Sequence, residues 1–202
     1  MENKQQNELG TKNISKLLFS MAIPAITAQI INLLYNMVDR MYIGHIPNVG
    51  ATALTAVGVT MPIIMVISAF AALVSMGGAP RSSIMMGKGD KDTAEKILGN
   101  CTSALVFISI ALTAVVLIFG EKMLMTFGAS ENTINYALDY LNIYAYGTLF
   151  VQLALGLNAF ITAQGFAKTS MLTVLVGAIL NIILDPIFIF VFNMGVKGAA
   201  LA

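Results

Sequence analysis

Hydrophobic positions in this chain are gathered into long apolar blocks separated by short polar breaks. Blocks at about 14–43, 52–79, 97–119, 133–163 and 171–193 each have room for the roughly 20 apolar residues that carry a helix across a bilayer. The pattern predicts an all-α polytopic membrane bundle with five full spans. Met194-Gly-Val-Lys-Gly-Ala-Ala-Leu-Ala202 then opens a sixth helix at about residue 195. Lipid offers no partner for free backbone carbonyls, so a helix begun there is expected to run on, and the chain reads as a fragment. Residues 1–13 are polar and precede a span too long for a signal-peptide core, so they are expected to form an uncleaved cytoplasmic lead.

Polar residues inside the apolar blocks carry more information than the blocks themselves. The fifth block holds Asn181, Asp185 and Pro186, and an acid near the middle of a spanning helix costs about 2.5–3.5 kcal/mol on insertion scales. Asn181 and Asp185 are four residues apart and share a helical face. Pro186 has no N–H to give the Ile182 carbonyl, so the helix should bend there and leave that oxygen free. A carboxylate, an amide oxygen and a loose carbonyl suit a proton or a small hard cation such as Na+; the alternative is a hydrogen-bonded Asp that only fixes helix contacts. In the first block, Pro24 should bend the helix by freeing the Ser20 carbonyl. Beyond it Gln29, Asn32, Asn36 and Asp39 step by three, four and three residues along one face, with Tyr35 beside them. That stripe should line a protein contact or a watery cavity, unless Asp39 merely pairs with Arg40.

Depth brings the two acids together. The first and fifth spans run in the same direction, and at about 1.5 Å per residue Asp39 falls roughly 6–8 Å, and Asp185 roughly 12 Å, from their outer ends. Two carboxylates meeting in a low dielectric cannot both stay ionised without help, so the pair should hold a proton or bind a cation. In the fourth span Tyr140 is placed to reach such a site, Tyr136 and Tyr144 suit an interfacial aromatic belt, and Asn158 with Thr162 either contacts substrate or cross-links helices.

Charge sets the orientation. With the N-terminus in the cytoplasm, eight basic residues fall inside (Lys4, Lys12, Lys16, Arg81, Lys88, Lys91, Lys96, Lys168) against three outside (Arg40, Lys122, Lys197). The stretch Pro80–Asn100 is expected to be the one sizeable hydrophilic connection, with a Gly turn and a capped helix start in GKGDKDTAEK. Composition agrees: 57% of residues are hydrophobic and 10% charged, and a net charge of +1 gives no electrostatic case for a nucleic-acid partner. One cysteine, Cys101, excludes an internal disulfide, and one histidine, His45, with no HExxH and no phosphate-binding Gly-Lys loop, leaves metal, nucleotide and hydrolase chemistry unsupported. Met61, Met65, Met76, Met85 and Met86 are adaptable surfaces for apolar guests or ordinary lipid-facing residues.

The stretches AIPAITAQIINLLYNMVDRMYIG, GKGDKDTA, ALDYLNIY, LNAFITAQG and LNIILDPIFIF, followed by GVKGAALA, resemble the amino-terminal half of multidrug and toxic compound extrusion (MATE) transporters. The resemblance runs along nearly the whole chain. It implies one six-helix lobe of a twelve-helix plasma-membrane antiporter, five full spans plus the start of the sixth, with the C-terminal lobe absent. It further implies export of cationic amphipathic drugs in exchange for Na+ or H+ and no other cofactor. By the same resemblance, Asp39, Asn181 and Asp185 look like the cation site, with Tyr140 a neighbouring ligand; Asn32, Tyr35, Asn36 and Asn158 look like substrate contacts, and Pro24 and Pro186 hinges. The family's next polar ligand, a Thr in the sixth span, has no counterpart before Ala202. A lipid-linked saccharide flippase of the same superfamily is the nearest rival and would be expected to carry intramembrane Lys or Arg. A non-transporting membrane half-subunit is another, and an intramembrane acid-base enzyme lacks a companion nucleophile.

Overall fold

A computed structural model describes residues 13–202; the polar lead, with Lys4 and Lys12, lies outside the described residues except for Asn13. The chain forms α1 (Ile14–Gly44), α2 (Gly50–Gly87), α3 (Lys91–Thr126), α4 (Ile134–Ala163) and α5 (Ala167–Pro186). A π-helical turn (Ile187–Val191) and the short α6 (Val196–Leu201) complete it. Five helices, counting α5 with the π turn, are long and apolar enough to cross a membrane. The turns at 88–90 and 164–166 lie at one end of the bundle, here the basic end, with Arg81, Lys88, Lys91, Lys96 and Lys168 around them; the α1–α2 and α3–α4 turns lie at the far end.

The helices are longer than their apolar blocks, which changes the expected loop at 80–100. Both flanking helices run through it, and the connection shrinks to Lys88-Gly89-Asp90. Gly89 takes φ +80°, a left-handed geometry that glycine reaches without a steric penalty. Asp90 caps α3 by accepting the Thr93 N–H at 3.0 Å, and that bond holds its carboxyl below the ordinary value.

Packing inverts the pattern of a water-soluble protein. Phe107 and Phe150 are each 73% exposed, whereas Thr60, Thr148 and Gln152 are fully buried. Apolar side chains outside and small or hydroxylated ones inside are what lipid as the surrounding solvent selects. Helices α2, α3 and α4 pack on one another into one group; α1 packs along α5 as a second. In the first group buried polar side chains reach backbone carbonyls across helices: Gln152 Nε2 donates to Ile67 at 2.8 Å, Thr113 Oγ1 to Ala145 at 2.9 Å and Ser83 Oγ to Ala163 at 2.9 Å. Gly156 faces Leu105 so closely that a Cβ would collide with it.

The two groups are pinned at the far end. Ile43, Ile46, Ala53, Val57, Ile189, Val196 and Ala199 form a buried cluster with Tyr42, Tyr136, Tyr140 and Phe190 packed against it. The Tyr42 and Phe190 rings meet edge to face, 6.3 Å between centroids and 74° apart, tying α1 to the π turn. A Cβ on Gly198 would lie 2.7–2.8 Å from the Phe188–Ile189 backbone, so α6 reaches the π turn only because that residue is glycine. Lys197 Nζ completes the join with an ion pair to Asp139 of α4 at 3.3 Å.

Asp90→Ala should release the first turn of α3 and speed amide exchange at Thr93 and Ala94 about several-fold, with the rest of the bundle unchanged. In the native chain the carboxyl's value is lowered on folding, so the cap's support is present above the unfolded value and is lost as pH falls through the folded one. Hydrogen exchange followed from neutral pH into the acid range checks both.

Candidate functional site

Asn181 and Asp185 lie one turn apart on α5, and the residue after Asp185 ends the α-helix. Pro186 cannot donate to the Ile182 carbonyl, and the chain passes into the π turn, where the Phe192 N–H bonds Ile187 at 2.9 Å. The expected single bent α-helix to residue 193 is thus an α-helix followed by a π-helical turn, a change of register that begins where the proline removes one rung of the ladder. α1 lies alongside α5, and the Asp39 carboxylate is within electrostatic range of Asp185; both carboxylates act on Tyr140 of α4. The two acids and the tyrosine thus come from three helices to one place near the far end.

Hydrogen bonding at this place is incomplete. Asp185 is fully buried, with 0% of its surface exposed, and Asn181 Nδ2 donates to its Oδ1 at a long 3.3 Å. Asp185 Oδ2, Asn181 Oδ1 and Asp39 Oδ1 are all buried and accept no hydrogen bond. Buried polar atoms are nearly always paired, because an unpaired one costs about 1–3 kcal/mol. Three unpaired acceptors on two neighbouring helices, all oxygen and two of them carboxylate, are donor types suited to a proton or a hard cation. Among the described residues no three His, Cys, Asp or Glu side chains come together, and Asp39 makes no ion pair with Arg40.

The remaining residues singled out above are placed as follows. Asn36 Nδ2 donates to the Asn32 carbonyl at 2.7 Å and to its Oδ1 at 3.1 Å, so these two amides are partly spent on each other along α1. Tyr35 is half-buried and feels the Asp39 charge; Gln29, in the same stripe, is exposed. Asn158 lies toward the basic end, where its Oδ1 accepts from Thr173 of α5 at 3.4 Å and Thr162 bonds Ser170 at 2.9 Å, the cross-linking arrangement. Pro24 is buried within a continuous α1. Tyr136 and Tyr144 pack partly buried against the core; the exposed tyrosine is Tyr146, at 70%. Between α1 and α2 runs an open groove of about 770 Å³ lined by Asn36, Arg40 and His45 with Met37, Met41, Met61 and Met65 among its apolar walls. Sequence reasoning missed the π turn, the Tyr42–Phe190 contact and the Lys197–Asp139 pair. Only the first had a signal, the Asp-Pro step.

Comparison with known proteins bears on the family and the fold. The MatE family profile matches residues 24–187, most of the chain. The multidrug export protein MepA of Staphylococcus haemolyticus (strain JCSC1435) is 29% identical over 201 residues, covering 100% of this chain and 44% of its own length. A MATE crystal structure in the straight conformation superposes with a TM-score of 0.86 at 26% identity, covering 96% of this chain and 42% of that one. One in the bent conformation gives 0.84 at 27%, covering 92% and 41%. The chain therefore spans less than half the length of these relatives.

If the orphaned oxygens of Asp39 and Asp185 share one pocket, neutralising either acid relieves the same strain. In sodium-free buffer Asp39→Asn and Asp185→Asn should each stabilise the fold by about 1 kcal/mol, with the double variant short of the sum by at least about 0.5 kcal/mol. Thermal or denaturant unfolding of the four proteins measures this; strict additivity would mean that the acids do not sense each other.

Proposed function

Since the chain belongs to the MatE family, a family of membrane transporters and not of enzymes, we propose that it works as one lobe of a secondary active multidrug efflux antiporter. The exported class is cationic amphipathic molecules and the exchanged ion is Na+ or H+. The observation that carries this reading is the trio of buried, unpartnered oxygens on Asp39, Asn181 and Asp185. The multidrug export relative and the Met-lined groove beside α1 support the substrate side of it, since flexible thioether walls accept varied apolar shapes. The working unit pairs this bundle with a second lobe, a reading supported by the chain's share of its relatives' length.

The mechanism follows from how the helices are grouped. An ion or proton bound between Asp39 and Asp185 cancels charge across the α1–α5 pair and lets it pack tightly against Tyr140. With the ion gone, two buried carboxylates repel and draw in water, which favours a different seating of α1 and α5 on the α2–α3–α4 group. Pro24, within the continuous α1, and the Pro186–π turn step in α5 are the points where the backbone ladder lacks a rung and where bending is least costly. Exchange requires only that ion and drug favour opposite seatings, because a ligand moves an equilibrium by its difference in affinity for the two states. The basic end faces the cytoplasm of a plasma membrane, so the acid pocket opens toward the outside, where the driving ion enters.

Membrane vesicles carrying this lobe paired with a second lobe of the family test this with ethidium, a lipophilic cation whose fluorescence reports its movement. Imposed Na+ or H+ gradients should drive ethidium export, and the gradient that works names the ion. Asp185→Asn should slow driven export at least about tenfold while leaving the amount of inserted protein unchanged. Export at the native rate in Asp185→Asn, or none from the native protein under either gradient, would reject the antiporter reading.

A further inference from the structure

A cavity of about 300 Å³ lies at the basic end, at the opposite end of the bundle from the acids, between the ends of α2 and α3 and the α4–α5 turn. Met86 and Leu98 give it apolar walls, Ser82 and Gln164 polar ones, and Lys91 and Glu95 line it with charges of opposite sign. Its volume is at the lower end of that of small-molecule sites, enough for one headgroup-sized molecule.

The two charges define what fits. Lys91 and Glu95 stand one helical turn apart on α3, their Cβ atoms about 5–6 Å from each other. Among the described residues the only ion pair is Lys197–Asp139, so Lys91 and Glu95 do not neutralise each other and both remain available to a guest. The Gln164 side chain makes no hydrogen bond among the described residues, although its backbone N–H is tied to Phe160 at 3.1 Å. The cavity thus offers a cation and amide donors for an anion, a carboxylate for an ammonium, and thioether and leucine walls for carbon. Ser82 is buried and holds α2 to α3 through the Ala94 carbonyl at 3.3 Å, so the walls belong to the packed three-helix group.

Depth favours a lipid over a soluble molecule. The apolar run of α3 starts at Ile97, beside the cavity-lining Leu98, and Arg81, Lys88 and Lys96 stand close to the same level, the height of lipid headgroups. Balanced lining charge favours a zwitterion over an anionic lipid. We propose that this cavity is a site for the headgroup of an aminophospholipid, with the phosphate on Lys91 and Gln164 and the primary ammonium on Glu95. An occupant there would bridge α2, α3 and the α4–α5 turn, and so join the three-helix group to the start of α5. This site is independent of the ion chemistry at Asp39 and Asp185 and stands or falls separately.

Native mass spectrometry of the full chain in detergent tests it with phosphatidylethanolamine, phosphatidylcholine, phosphatidylglycerol and soluble glycerophosphoethanolamine. One phosphatidylethanolamine should be retained in preference to the other two lipids. Lys91→Gln and Glu95→Gln should each weaken it about tenfold, the value of one charge-assisted hydrogen bond. Both residues are exposed, and circular dichroism checks that the variants keep their helices. The charge-exchanged double variant Lys91→Glu/Glu95→Lys should recover part of the loss. Equal retention of phosphatidylglycerol, retention unaffected by the two single variants, or displacement by an equal amount of glycerophosphoethanolamine would overturn the assignment to a lipid headgroup.

Discussion

Asp185 is a carboxylate with no exposed surface, one long hydrogen bond and one oxygen with no partner, set in a helix long and apolar enough to cross a membrane. Bare, it would be among the most costly groups in the bundle. Its neighbours fit that position: Asn181 supplies a single donor while its own buried oxygen has no partner, and Asp39 adds a second acid from α1. A site arranged only for stability would replace these with leucines, or set a donor against each oxygen. This one leaves acceptors without donors, which is what the proposed ion or proton would satisfy.

The fold around the site is divided to make that occupancy felt. The α2–α3–α4 group is stitched by side-chain bonds to backbone carbonyls, which keep its helices in register without water. The α1–α5 pair touches it chiefly at the far end, through Tyr42, Phe190 and the buried cluster, and through the cross-links near the α4–α5 turn. Asp39 and Asp185 both belong to the second group, and Tyr140 belongs to the first. In the proposed mechanism, an ion or proton held there would act across the seam between the two groups.

Much of this was legible in the sequence because burial in lipid makes polar residues conspicuous. Asp39, Asn181 and Asp185 stood out in apolar blocks, and helical spacing with depth brought them to one level. Lengths were less legible. Helices α2 and α3 continue past their apolar stretches, since amphipathic residues such as Ser82, Ser83 and Glu95 are helix-compatible at the headgroup level, and hydropathy reads this as loop. The Asp-Pro step announced a break but not its form, because whether a freed carbonyl yields a kink or a π turn depends on what packs next to it, here Gly198. Asn32, Asn36 and Asn158 were singled out as substrate contacts by the resemblance. Their hydrogen bonds within α1 and across to α5 were not legible, because helical spacing does not say which neighbour a polar side chain meets.

The central claim is that Asp39, Asn181 and Asp185 hold one ion between them, and direct titration tests it most plainly. Calorimetric titration of the purified protein with Na+ at several pH values, repeated for Asp39→Asn and Asp185→Asn, reads Na+ binding and competing protons together. The account predicts one site in which Na+ binding, or proton uptake if the site takes only protons, is lost in both variants. A site of native affinity surviving in both would show that the two acids hold nothing between them and would contradict the account.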